Sequence, residues 1–468
     1  MTKRLLARSI GPHVDAAAAF AALFGASDAA FWLDSSDDSG WSYLGCGRRI
    51  AVGHGGVLDA LAEALEADRA AGVDVSAAPD GMAFRLGWVG WFDYELRHRT
   101  AARRGSGGAG RGRAGQGGAF LAADRMLALD HRSGTAWLVA YDTRDGDRWL
   151  RDAACILASL PPSPPSLPPR PVAAGATSGR NVTWRHSDSE YLDLIDRCRA
   201  AIGAGDAYQL CLTNSATIPG VVDPLAVHLR LRSISPAPLG GLLRLGDAAL
   251  VSASPERFLS VTPAGLATTR PIKGTRRRGA DDRDDERLRR QLVESEKERA
   301  ENLMIVDLMR NDLSRVCRLG SVRVTELLRV ESYAQVHQLV STVEGTLREG
   351  ATAVDAVRAL FPAGSMTGAP KMRAIEILDG LEGAPRGTYA GAFGYLGVDG
   401  ALDLAMVIRS IVIGPHGATV GAGGGITTLS DPAEELEEVR LKAAPLLRAL
   451  GAAAPPRPAT APRGDGRG

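Results

Sequence analysis

Between Tyr191 and Leu450, helical and strand patterns alternate without the regular strand–helix–strand rhythm of a doubly wound parallel sheet. That irregularity predicts a mixed α and β architecture, and periodicity takes the reading no further. Upstream, Val14–Phe24 has a helical pattern, and the aromatic-rich FRLGWVGWFDY from Phe84 to Tyr94 reads as a buried strand and turn. Ala136–Tyr141 reads as a further strand. Gly105–Gly118 is a low-complexity loop, and PPSPPSLPPRP from Pro161 to Pro171 is an extended, linker-like segment. The expected organisation is an N-terminal region over 1–160, a linker over 161–180, a denser domain over 185–450 and a disordered tail over 452–468. No internal repeat is present.

Composition narrows the class. The chain has 468 residues, 45% of them hydrophobic, enough for a large core. A net charge of +1 argues against a nucleic-acid or electrostatic membrane partner. The longest early apolar run, Ala16–Ala26, is too short to span a bilayer. Five cysteines with no C-x-x-C pair disfavour a disulfide framework or a thiolate zinc site. A soluble, cytoplasmic protein is the expectation.

Lysine is scarce: Lys3, Lys273, Lys297, Lys371 and Lys442 are set against 50 arginines. Positions that keep lysine are enriched for sites where guanidinium will not serve, because lysine can lose its proton and act as a nucleophile. Chance retention on the surface is the plain alternative for each one alone.

Several stretches are candidates for chemistry. GAGGGI, Gly421–Ile426, is followed by ITTLSDP and so is not a dinucleotide fingerprint. It reads either as a flexible turn or as an anion cradle of glycine N–H groups. GSMTGAPK, Gly364–Lys371, lacks the ending of a phosphate-binding loop. Asp281–Asp312 is strongly charged, and most of it should be a solvated face. Within it Glu298 and Glu301 lie three apart on one helix face, with Glu301 leading into an apolar run. Asp431–Pro432 opens another helix, on which Glu435 and Glu438 are also three apart and Lys442 follows one turn later. Two carboxylate pairs of this kind suit Mg²⁺, although charged helix faces are common without one. Lys273 stands in RPIKGTRRR, where cationic neighbours would lower its pKa if it is also desolvated. Glu256, in SPERF, sits in a turn entering an apolar strand, where a buried carboxyl would stay protonated as a general acid requires. Ordinary surface pairing is the alternative for both.

Taken together, the motifs resemble a known family. In order they are GDAYQLCLT from Gly205, SPERFL from Ser254, RPIKGTRRRG from Arg270, EKERAENLMIVDLMRND from Glu296, FPAGSMTGAPK from Phe361, RGTYAGAFGYL from Arg386, and GAGGGITTLSDP. The chain resembles the chorismate-utilising enzymes over roughly Tyr191–Leu450, with a weaker match in FRLGWVGWFDYEL. Anthranilate, aminodeoxychorismate, isochorismate and salicylate synthases make up that family. The resemblance implies an α+β fold, a two-subdomain sandwich of antiparallel sheets flanked by helices, with the site in the cleft between them.

Two positions discriminate within the family. Lysine before the Gly–Thr of PI-x-GT marks the aminodeoxychorismate branch, and Lys273 stands there. Water-using members carry lysine where this chain has Gln209, which suggests ammonia as the nucleophile. The implied reaction replaces the C4 hydroxyl of chorismate with an amino group, on the route to p-aminobenzoate. Lys273 would attack C2, Glu256 would assist departure of the hydroxyl, and ammonia would then displace the lysine. Glu301 and Glu438 would ligate Mg²⁺, with Glu298 and Glu435 supporting through water. Gln209, Gly274, Thr275, Tyr389, Arg409, Gly423, Gly425 and Lys442 would hold the substrate. No cysteine has the context of a glutaminase, so ammonia would come from a separate glutamine amidotransferase subunit. Anthranilate synthase component I is the nearest rival reading, and a catalytically silent scaffold a more distant one. Two features depart from the family: Gln338 stands where many members have histidine, with His337 one position earlier, and Leu33–Ser36 matches only loosely an element that binds tryptophan in some relatives.

Overall fold

The computed structural model describes residues 3–12, 14–35, 40–101, 117–161, 180–333 and 336–452. Ser36, the 105–116 part of the low-complexity stretch, the proline-rich 162–171 and the tail from 453 onward lie outside the described residues.

Among the described residues, 21 strands join through one network of pairings, and 11 α-helices pack on it. Every named strand pairing is antiparallel except the two-residue contact between Lys3–Pro12 and Val73–Asp74. The result is α+β. The expected helix and strands form as Ala16–Phe24, Gly87–Phe92 and Thr135–Tyr141. No helix among the described residues is long and apolar enough to cross a membrane.

The two halves of the chain share their sheets. Ala29–Asp34 pairs with Leu239–Leu245, and Gly87–Phe92 pairs with Ala392–Gly397. The core falls into three clusters. One lies under the helices Asp188–Gly203, Pro224–Ile234 and Pro432–Ala449. A second lies under Glu296–Ser314 and Ala353–Leu360. The third is built from strand and loop side chains, with Phe31, Tyr43, Phe84, Phe393 and Tyr395 at its centre. Apolar strand faces meeting strand faces there, with helices covering the outer surfaces, make a sandwich.

One local expectation is overturned. GAGGGI is not a turn: Gly417–Ile426 is a ten-residue strand, buried along most of its length and paired with Gln209–Pro219. Its glycines stand where neighbouring groups come too close for a side chain.

Candidate active site

The site is assembled where that glycine strand meets the strand Ile272–Arg277 and two acidic helices. Gln209 opens the strand paired with Gly417–Ile426, in a register that sets Cys211 opposite Gly425 and Thr213 opposite Gly423. The absent side chains make room for site groups. A β-carbon on Gly421 would lie 2.1 Å from the Tyr389 ring, one on Gly424 2.7 Å from Glu435 Oε2, and one on Gly425 2.1 Å from Gln209 Nε2 and 3.4 Å from Lys273 Nζ. The Gln209 amide is buried, and among the described residues its Oε1 has no hydrogen-bond partner.

Lys273 sits where the pairing of Ile272–Arg277 with Val336–Thr346 slips register, between Ile272 and Thr275. Gly274 supplies the left-handed residue of that slip, at φ 88°. A β-carbon there would lie 2.8 Å from the Leu292 side chain and 3.0 Å from Glu298 Oε2. Lys273 Nζ is 3.8 Å from Glu301 Oε2.

Helix caps aim the carboxylates. Ser295 caps Glu296–Ser314 by accepting from the Glu298 N–H, and Asp431 caps Pro432–Ala449 with proline in the first turn. Each site glutamate has a cation: Glu298 has Arg276 at 3.2 Å, Glu301 has Lys273, Glu435 has Lys297 at 3.3 Å, and Glu438 has Lys442 at 2.6 Å. Lys442 also donates to the Gly423 carbonyl at 2.7 Å.

Glu256 lies between the strands Ala248–Ser254 and Arg257–Val261, with the Ser365 hydroxyl bonded to its carboxyl. Burial pushes its pKa up to about 7, while Lys273, Ser365 and Lys442 pull the other way. For Lys273 the expected direction is reversed. Burial alone would lower it, but the nearby carboxylates, Glu301 ahead of Glu438, outweigh burial and raise it. The cationic neighbours that argued for lowering are paired elsewhere: Arg276 with Glu298, Arg277 with Asp284 and Arg278 with Asp285.

Tyr389 and Arg409 face the same region. Arg409 adopts the left-handed conformation (φ 50°), and Glu438 and Tyr389 are the charged or titratable groups that act on it. Thr275 is less closely joined to the rest; it is exposed and pairs across the strands with Gln338. His337 is buried on a strand paired on both sides, and it bonds Ser332 at 2.8 Å and Asp285 at 3.0 Å rather than any group of the site.

Two further groups join this constellation. Ser365, on the Glu256 carboxyl, lies inside the motif FPAGSMTGAPK, but the sequence assigns it no role. Lys297 does leave a signal there, as one of only five lysines.

The donor chemistry fits a hard divalent cation. Among the described residues no three acidic, histidine or cysteine side chains already surround one point. Mg²⁺ asks for less: one or two direct carboxylates plus waters. Glu301 and Glu438, on the two capped helices, both act on Lys273 from nearby.

A family model described as chorismate binding enzyme matches residues 28–448. The chain is 44% identical, over 96% of its length, to a Streptomyces pristinaespiralis protein named aminodeoxychorismate synthase, and 43% identical, over 97%, to a namesake in Streptomyces griseus. It spans 65% of the length of each of these relatives. It is also 37% identical to anthranilate synthase component 1 of Streptomyces coelicolor, over 92% of this chain and 86% of that one. Among solved structures, anthranilate synthase component I from Streptococcus pneumoniae superposes with a TM-score of 0.72 at 27% identity, over 87% of this chain and 92% of that one. The menaquinone-specific isochorismate synthase of Escherichia coli gives 0.69 at 19% identity, over 96% of this chain and 94% of that one, a likeness of fold.

Proposed function

Since the chain belongs to the chorismate binding enzyme family, we propose that it is the aminating subunit that converts chorismate and ammonia to 4-amino-4-deoxychorismate, in the cytoplasm and on the route to p-aminobenzoate. A separate glutamine amidotransferase supplies the ammonia. The observation that carries the reading is the environment of Lys273. Its ammonium stands beside Glu301, next to the space where Gln209 meets Gly425, with Glu256 close enough to act on it.

In the first step the Lys273 ammonium passes a proton to Glu301 beside it, the freed Nζ lone pair bonds to C2 of the ring, the ring double bonds shift, and the C4–O bond breaks. Glu256 gives its proton to the departing hydroxyl, which leaves as water. Ammonia then bonds to C4, the double bonds shift back and the C2–N bond to Lys273 breaks; the new ammonium returns a proton to Glu256, and Glu301 gives Lys273 its proton back. One hard displacement becomes two easier ones. Gln209, with its unpartnered Oε1, orients the incoming ammonia. Arg409, Tyr389, Thr275, Lys442 and the backbone at Gly274, Gly423 and Gly425 hold the two substrate carboxylates. Glu301 and Glu438 would hold Mg²⁺ directly, and Glu298 and Glu435 through water. When bound, that ion neutralises the ring carboxylate and fixes its position.

Anthranilate synthesis is the second reading, favoured by the near-full-length match to an anthranilate synthase component 1. Product analysis separates the two. Purified protein with chorismate, Mg²⁺ and an ammonium salt should give a C4 amine with the enolpyruvyl group retained. Anthranilate and free pyruvate would overturn the proposal in favour of the second reading. No turnover, even with an amidotransferase present, would favour a silent scaffold.

A further inference from the structure

We propose that Lys297 is a resident counter-cation that competes with the divalent metal for the site carboxylates and so sets metal affinity before substrate binds. The inference rests on the metal reading above.

Four glutamates face four cations, and three of those cations have a second attachment or task. Lys442 also donates to the Gly423 carbonyl and Arg276 to the Thr275 carbonyl, while Lys273 is the nucleophile of the proposed reaction. Among the described residues Lys297 has a single hydrogen-bond partner, Glu435. Its position is particular. It lies one turn before Glu301 on the same helix, yet reaches across to Glu435 on the other. Its ammonium therefore bridges the two helices that offer the metal carboxylates, and Glu301 and Glu438 act on it as well as Glu435.

The two ends of the pair differ in what they can do without each other. The Lys297 side chain is 38% exposed and can move out into water. Glu435 is 4% exposed and cannot. One of its oxygens already accepts from the Ser430 hydroxyl at 2.7 Å, and the other lies against the strand at Gly424. A buried carboxylate needs a counter-charge. Either the ammonium or a nearby divalent ion can supply it, but two positive charges a few ångströms apart repel. Metal binding therefore displaces Lys297 outward, and removing its charge strengthens metal binding.

The test uses Mn²⁺ as probe, read by the electron paramagnetic resonance of the free ion. The full chain is stripped with a chelator and kept free of chorismate. Lys297→Met and Lys297→Gln should bind Mn²⁺ about tenfold more tightly than the parent, and Lys297→Arg within about twofold of it. In chelator the neutral variants should melt below the parent, and Mn²⁺ should raise their melting temperature by more. The glutamine variant keeps a hydrogen bond to Glu435 and guards against misfolding of the methionine one. Equal or weaker Mn²⁺ binding by a folded neutral variant overturns the proposal. Failure of every protein, the parent included, to bind Mn²⁺ overturns it together with the metal assignment. Formation of the C4 amine is judged separately by product analysis.

Discussion

The Gln209 amide fills the space that a side chain at Gly425 would take, with Nε2 2.1 Å from where the β-carbon would stand. The backbones are locked in register there, Cys211 opposite Gly425 and Leu210 opposite Ile426, so the strand cannot shift to relieve a clash. A methyl at position 425 must therefore displace Gln209, and with it the region next to Lys273 Nζ. Gly425→Ala should fold but lose about 100-fold in kcat, since small misplacements of reacting groups carry that scale of loss. Steady-state kinetics beside far-ultraviolet circular dichroism checks this; undiminished kcat in the folded variant would mean that Gln209 can move without consequence.

Glu256 gives a pH prediction. Its carboxyl is pushed up to about 7 by burial, so it carries its proton below that pH and loses it above. A general acid works only while protonated. Because Lys273 hands its proton to Glu301 within the complex, its own ionisation does not set the profile, and the rate should fall as pH rises through about 7. Glu256→Gln should lower kcat by about 100-fold or more and remove this alkaline fall from whatever activity remains. A parent profile that rises through pH 7, or a glutamine variant with the same alkaline fall, would remove Glu256 from the role.

Which parts of this were legible in the sequence follows from what local patterns encode. The order of motifs, the helix bearing Glu298 and Glu301 and the cap at Asp431 are local, and the α+β architecture came with the family resemblance. The strand at Gly417–Ile426 was hidden because glycine disfavours strands, and tertiary crowding by Tyr389, Glu435 and Gln209 overrides that preference. The direction of the Lys273 shift was hidden too. Its cationic sequence neighbours are spent on carboxylates of the helices Asp282–Glu294 and Glu296–Ser314, and the nearest opposing charge, Glu301, is 28 positions away. The Lys297–Glu435 contact spans 138 positions, which no local pattern reports.

The buried pair Arg386–Glu382 supports the floor of the site. Arg386 donates to both Glu382 oxygens, at 2.8 and 2.7 Å, and to the Met366 and Cys211 carbonyls at 2.7 and 2.8 Å. Glu382 in turn accepts from the N–H and hydroxyl of Thr213, both at 3.0 Å. The pair thus ties the strand carrying Gln209 to the segment carrying Ser365. Arg386→Ala leaves a carboxylate and two carbonyls buried without this partner, and should cost about 3–5 kcal/mol of stability. Arg386→Lys should restore only part of that, because an ammonium cannot reproduce the fork. Urea unfolding of the three proteins measures it; a loss under about 1 kcal/mol for the alanine variant would mean that water replaces the guanidinium.

Lys273→Arg separates charge from covalent chemistry. The guanidinium keeps a positive charge next to Glu301, so the electrostatics that hold the acidic helices should survive. It has no usable lone pair, so attack at C2 cannot occur. Chorismate affinity should stay within about threefold of the parent, while amination falls about 1,000-fold, the scale expected when a nucleophile is removed. The covalent step can also be seen directly. Parent protein mixed with chorismate and Mg²⁺ without ammonia should gain the mass of chorismate less one water, because Lys273 loses a proton and C4 loses its hydroxyl. The arginine variant should gain nothing. If the variant still forms the C4 amine at the parent rate, ammonia attacks directly and Lys273 serves only as a counter-ion to Glu301. Anthranilate from either protein would instead mean that attack falls at C2, and that the lysine there does not block it.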